Sequence, residues 1–163
     1  MKDTRRGFTL IELLVVVAII GVLAAIIYPN IAGSRGKARD AQRISDAGQL
    51  QLSLSLFYDR CGQYPSSLST SANNGCPTGV TLGTFINSIP TPPTGTTQSS
   101  YDYATLTVSS VIVNYVIHAV LEQYNAATAK GLSAMPAAGS GSWSATYTCS
   151  NSSTSLDYCV SAN

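Results

Sequence analysis

The sequence predicts an α+β protein in which a long N-terminal α-helix, half of it transmembrane, packs against a small antiparallel β-sheet head. Three observations predict it. The run from Phe8 to Tyr28 holds one charge, Glu12, and about 20 apolar residues at ~1.5 Å each cross a ~30 Å hydrocarbon core. Apolar residues then recur at three- and four-residue steps through Ala38, Ala41, Ile44, Ala47, Leu50, Leu54 and Phe57, which is a helical period. Beyond residue 100 the runs 101–108 and 111–122 alternate with a period of two, which is a strand period.

The first element is the apolar run. Lys2, Arg5 and Arg6 stand just ahead of it, which places the N-terminus in the cytoplasm by the positive-inside rule and the rest of the chain outside. Glu12 costs about 2.5–3.5 kcal/mol near the centre of a span and less towards an end, and the surrounding Leu, Ile, Val and Phe residues outweigh it at about −0.3 to −0.6 kcal/mol each. Insertion survives Glu12 without explaining it. Two readings stand: the carboxylate finds a cationic partner in lipid, or it snorkels to the helix end.

Gly7-Phe8-Thr9-Leu10-Ile11-Glu12, after a short basic leader and before an apolar run, resembles the class III signal of type IV pilins and type II secretion pseudopilins. The resemblance implies a pilin-like fold and a prepilin peptidase cut between Gly7 and Phe8. It further implies N-methylation of Phe8, and a meeting of Glu12 with a neighbouring subunit's N-terminus during assembly. The motif is unbroken, and the resemblance covers the first third of the chain well; the remainder is only loosely similar. The expected organisation is a leader over 1–7, a transmembrane and assembly helix over 8–28, its amphipathic continuation over 29–60, and a β-rich head over 61–163.

With 163 residues the chain has room for one domain and its long helix. Charged residues make up 10% against about 25% in ordinary soluble domains, and Ser, Thr, Gly and Asn replace them, as suits an extracellular surface. Removing Met1 to Gly7, which carries Lys2, Arg5 and Arg6 against Asp3, takes two net positive charges from a formal +1. No basic field is left to attract nucleic acid. The four cysteines, Cys61, Cys76, Cys149 and Cys159, fall in the exported part and read as disulfides. Three connectivities are possible, and the short loops favour Cys61 with Cys76 and Cys149 with Cys159. The spacings contain no CxxC, which weakens a zinc or redox reading.

Pro29 follows the span and predicts a kink, a break or a short melted segment, with Gly33 and Gly36 weakening the helix further. A helix that ends at Tyr28 is the alternative. Against it, 37–58 has no proline and carries the apolar stripe, so a helix from Phe8 to about Arg60 would be about 80 Å long. Leu52 and Leu56 lie off the stripe, facing either a neighbouring subunit or a wide core. Arg35, Lys37, Arg39, Asp40, Arg43 and Asp46 read as a solvated helix face, with ion pairing between subunits as the alternative.

Cys61-Gly62-Gln63-Tyr64-Pro65 ends the helix, 66–83 is a loop, and Pro90, Pro92 and Pro93 make an extended connector. In 111–122 the parity puts Val111, Val113, Tyr115, Ile117, Ala119 and Leu121 on one face and Asn114, His118 and Glu122 on the other, so a hairpin with one face on the helix is expected. A helix over this run is the alternative, disfavoured by its β-branched residues. The stretch 125–142 reads as a surface loop and 143–149 as a third strand, with Leu156 to Val160 pairing back on the sheet. Tyr64-Pro65, the proline-rich step before Tyr101-Asp102-Tyr103, and Tyr115 before Leu121-Glu122 are similar to the heads of pseudopilins and small pilins. Pro92-Pro93-Thr94-Gly95 departs from the Asp-Pro-Trp-Gly of many major pseudopilins, and their calcium-binding acidic loop has no counterpart here.

No catalytic constellation is found. His118 and Glu122, four apart on a strand, lie about 13 Å from one another, and no nucleophile elbow, phosphate loop or carboxylate cluster occurs. No enzyme activity, cofactor or metal is expected. Asn151-Ser152-Ser153 fits an N-glycosylation pattern that arises readily by chance in a Ser-rich tail. The expected function is a structural subunit of an extracellular type IV pilus-like filament. Its partners would be the inner membrane before assembly, a prepilin peptidase, a pilus assembly platform and copies of itself. The alternatives are a type II secretion pseudopilin, a protein secreted by an ordinary signal peptide cut near Ala24 or Ala25, and a single-span membrane protein.

Overall fold

The computed structural model describes residues 8–124, 130–150 and 156–162, with the backbone alone at 28–32. The expected leader with Gly7, and the Asn151 triplet, lie outside the described residues. The chain divides after Gly36 into two compact units. One helix, α1 (Leu10–Cys61, 52 residues), supplies residues to both.

In the first unit the Leu10–Ile27 stretch of α1 is apolar on all sides apart from Glu12, and it is long and apolar enough to cross a membrane with none of it buried. A helix hydrophobic all round has no water-facing side, so lipid or other helices are its natural surroundings. The backbone is helical through Pro29, so the helix neither ends nor melts there in the single chain. Proline removes one amide from the ladder, and neighbouring bonds can hold the turn.

The second unit is built on residues 37–61 of α1. Ala47, Leu50, Leu54 and Phe57 are buried and join Tyr115, Ile117, Ala119 and Leu121 in one core cluster. The helix stops at Gly62, whose φ of 73° suits the left-handed position past a helix end. Its N–H donates to the Tyr58 carbonyl at 2.8 Å. Cys61 is bonded to Cys76, which staples the following loop to the helix end.

Strands β1 (Asp102–Val108), β2 (Val111–Val120), β3 (Ser142–Trp143) and β4 (Asp157–Ser161) form one antiparallel sheet in the order β3-β1-β2-β4. The β1–β2 turn is made by Ser109 and Ser110, both at positive φ.

The sheet differs from the expectation in three places. The parity of β2 slips, because Leu106 pairs with Asn114 while Thr107 pairs with Ile112, leaving Val113 as a bulge. Ile112 therefore joins the core, and Val111 and Val113 are each 40% exposed; an inserted residue reverses every side chain beyond it. The second face is also covered, since Val116 packs with Cys149 and Cys159, with Leu132, Met135 and Trp143 against them.

Finally, the third strand ends at Trp143 instead of running to Cys149. Cys149 is bonded to Cys159 on β4, at the opposite edge of the sheet from β3. Ser144 still donates to the Thr105 carbonyl of β1 at 2.9 Å, but the strap beyond it, to Cys149, must travel about 14 Å, three strand spacings, to reach β4 and leaves β1.

Candidate functional site

Phe8 is 90% exposed and stands two residues before the start of α1. Thr9 caps the helix. Glu12 Oε2 accepts hydrogen bonds from the Thr9 N–H at 2.8 Å and the Thr9 hydroxyl at 2.7 Å, while the Glu12 N–H donates to Thr9 Oγ1 at 3.3 Å. This reciprocal pattern is a capping box. It satisfies donors that a helix start leaves unpaired and sets a negative charge at the positive end of the helix dipole.

The box gives Glu12 a local partner, a third reading beside the cationic partner and the snorkelling acid. Thr9 is the residue the sequence reading passed over. The signal was present as Thr9-x-x-Glu12 ahead of an apolar run.

Of the charges expected on a solvated face, Arg35 and Lys37 are exposed, whereas Arg39, Asp40, Arg43 and Asp46 find partners within the head. Arg43 and Asp40 are fully buried and paired at 2.8 Å. Arg43 also pairs with Glu122 Oε1 at 2.8 Å and donates to the Pro93 carbonyl at 2.7 Å. Arg39 donates to both Glu122 oxygens, through Nε at 2.7 Å and through Nη2. Asp40 accepts the backbone N–H groups of Glu122 and Gln123, each at 2.9 Å. Asp46 accepts the Tyr101 hydroxyl at 2.7 Å.

These bonds clamp the end of β2 and the proline-rich connector to α1. The Arg39 hydrogen bond, helped by Arg43, lowers the Glu122 carboxyl to about 2, and Glu122 in turn holds the Arg39 guanidinium above its ordinary value. Burial and the Asp46 bond push the Tyr101 hydroxyl well above its ordinary range. Sequence spacing could not find this cluster, because Arg39 and Arg43 meet a carboxylate about 80 residues away.

Leu52 and Leu56, at 64% and 43% exposure, stand outside the core. Their side chains leave the apolar stripe of the head helix, so the wide-core alternative does not hold within this unit. The disulfides join Cys61 to Cys76 and Cys149 to Cys159. Gly7 is outside the described residues, and Pro29 is described by its backbone only.

The family model for the prokaryotic N-terminal methylation motif matches residues 2–28. The type II secretion system core protein G of Vibrio cholerae is 32% identical over 111 residues, covering 63% of this chain and 74% of that protein. The core protein G of Escherichia coli is 40% identical over 65 residues, 40% of this chain and 45% of that protein. The type IV major fimbrial protein FimA of Dichelobacter nodosus is 43% identical over 54 residues, 33% of this chain and 35% of that protein. The matched stretch thus spans less than half the length of the E. coli and D. nodosus relatives. No solved structure matches.

Proposed function

This chain belongs to the type IV pilin and type II secretion pseudopilin family, and from that membership we propose that it is a structural subunit of an extracellular pilus-like filament. It is made as a single-pass precursor in the inner membrane with its N-terminus in the cytoplasm. A prepilin peptidase cuts between Gly7 and Phe8, Phe8 is N-methylated, and the mature subunit is added to copies of itself at an assembly platform.

The observation that most supports this reading is the wholly exposed apolar segment Leu10–Ile27, headed by Phe8 and carrying its only acid, Glu12, in the first turn. In lipid the segment anchors the precursor; in a filament the same surface packs against other helices. The pseudopilin reading is kept beside it, favoured by the 111-residue match to the V. cholerae secretion protein. The two readings share the anchor, the cut and the assembly step.

Cleavage makes the Phe8 amine a cation beside a carboxylate. In a bundle of packed helices both are withdrawn from water, where an isolated charge costs several kcal/mol and a close pair recovers much of it. Assembly then favours the axial stagger that sets one subunit's Phe8 amine against a neighbour's Glu12.

Glu12→Val tests this. Insertion and cleavage should persist, because hydrophobicity rises and Gly7 is untouched, while sheared filaments become few or absent relative to membrane-held mature subunit. The intact mass of the mature chain should show methylated Phe8 at its start. A normal filament yield from the Glu12→Val protein would remove the carboxylate from the assembly step.

A further inference from the structure

The outer face of the sheet carries a polar constellation that assembly through the N-terminal helix leaves unused. His118, in the middle strand pair, is buried at 8% exposure. Its Nδ1 lies 2.9 Å from Asp102 Oδ2 on β1, and its Nε2 lies 2.8 Å from Asp157 Oδ1 on β4. The Tyr147 ring from the strap stacks on the imidazole, with centroids 5.3 Å apart and planes within 7°. Gln98 donates to the same Asp102 oxygen at 2.9 Å and orients it. The groups facing the ring are therefore a carboxylate from each flanking strand and one tyrosine from the covering strap.

Neutral imidazole has one N–H and one lone pair. Against two carboxylates it makes one hydrogen bond and sets the other nitrogen's lone pair against an anionic oxygen. Both contacts are hydrogen bonds only when the ring carries two protons, and both are then charge-assisted.

The disulfide cannot substitute for this fastening. Cys149 lies in the strap and Cys159 in β4, so the bond closes a ring within the C-terminal segment without tying that segment to β1 or β2. The start of the strap is tied to β1 through β3 and Ser144, while β4 is held by the β2–β4 ladder, the Leu121–Leu156 and Gln51–Ser161 hydrogen bonds, the packing around Val116, and His118.

We propose that His118, held between Asp102 and Asp157, is a proton-operated latch that clamps β4 and the Tyr147 strap to the β1–β2 hairpin. The latch is complete while the ring is doubly protonated and both aspartates are ionised. It loosens on the alkaline side, as the ring loses a proton, and on the acid side, as the carboxylates gain theirs. Removing the ring also removes the support beneath Tyr147.

His118 is the chain's only histidine, so its ring resonances report its protonation without ambiguity. The test is amide hydrogen exchange of the full mature chain in detergent micelles on the acid and alkaline sides of the midpoint of those resonances, expressed as protection factors to cancel the chemical pH dependence. Protection of the β4 amides, residues 157–161, should fall about tenfold or more from the acid to the alkaline end, while β1–β2 amides such as that of Tyr103 hold. The His118→Asn protein keeps the N-terminal amine and should show β4 protection that is low and flat. A flat wild-type profile, or an equal fall in His118→Asn, would overturn the latch.

Should His118→Asn lose β1–β2 protection as well, the wild-type protein still decides. The ring resonances of the single histidine and the β4 amide shifts must then titrate with one midpoint. Separate midpoints reject the proposal.

Discussion

Arg43 and Asp40 sit one helical turn apart with no exposed surface, and burying two charges is tolerated only when their partners are close and numerous. Here each partner is: two carboxylates and a carbonyl for Arg43, two backbone N–H groups and a guanidinium for Asp40. Among the described residues Arg43 Nε is the only buried side-chain polar atom without a partner. Glu122 makes the cluster sensitive to acid. Its carboxyl is lowered from 4.5 to about 2, by the Arg39 hydrogen bond first, so a group depressed on folding contributes stability above its unfolded value and loses it as pH falls through the folded one. Thermal unfolding of the mature chain in detergent should therefore show a midpoint that drops between about pH 4.5 and about pH 2. Glu122→Gln should start lower at neutral pH and have a shallower slope in that window. Equal slopes in the two proteins would show that Glu122 carries none of the acid sensitivity.

At the scale of elements, the β1–β2 hairpin holds a correctable feature. Ser109 and Ser110 have φ of 50° and 67°, a conformation that two-residue hairpin turns prefer and that Asn-Gly enters most readily. Replacing the pair by Asn-Gly should stabilise the head by about 1 kcal/mol, raising the thermal midpoint by about 2–4 °C for a chain of this size. A lowered midpoint would mean that one serine side chain makes a contact worth more than the turn preference. The hairpin itself was legible because β-branched residues and period-two alternation are local signals. The bulge at Val113 was not: an apolar residue suits either parity, and only the register against Leu106 and Thr107 reveals the inserted residue. The strap shows the same limit. Residues 143–149 alternate like a strand, yet the covalent tie of Cys149 to β4 carries them across the sheet.

For the molecule as a whole, helix α1 is the part that must serve two environments, lipid and filament. Pro29 leaves the Ala25 carbonyl without its ladder partner, and Gly33 and Gly36 each lower helix propensity by roughly 1 kcal/mol relative to Ala. The helix is continuous there in the single chain. Once helices pack around a common axis, side-chain contacts replace some of what the ladder supplies, so the expected outcome is a melted or hinged segment near Pro29. Filament density at side-chain resolution checks this, and a straight, unbroken helix from Ile20 to Ala41 would refute it.

The sequence by itself determined the apolar span, the N-terminal methylation motif, the apolar stripe of the head helix and the hairpin, because each is written in neighbouring residues with a fixed period or spacing. Thr9-x-x-Glu12 belonged to the same class, and its capping box could have been read without coordinates. Only the tertiary structure decided the charged residues. Arg39 and Arg43 look solvated on a helix wheel, yet Arg43 is buried and Arg39 is paired at its rim because Glu122 and Pro93 are brought to them by the fold. It also decided His118, which on its own strand has no partner in reach and acquires two carboxylates when β1 and β4 close on either side. Charge energetics depend on distance and burial, and neither quantity is set until segments remote in sequence are packed together.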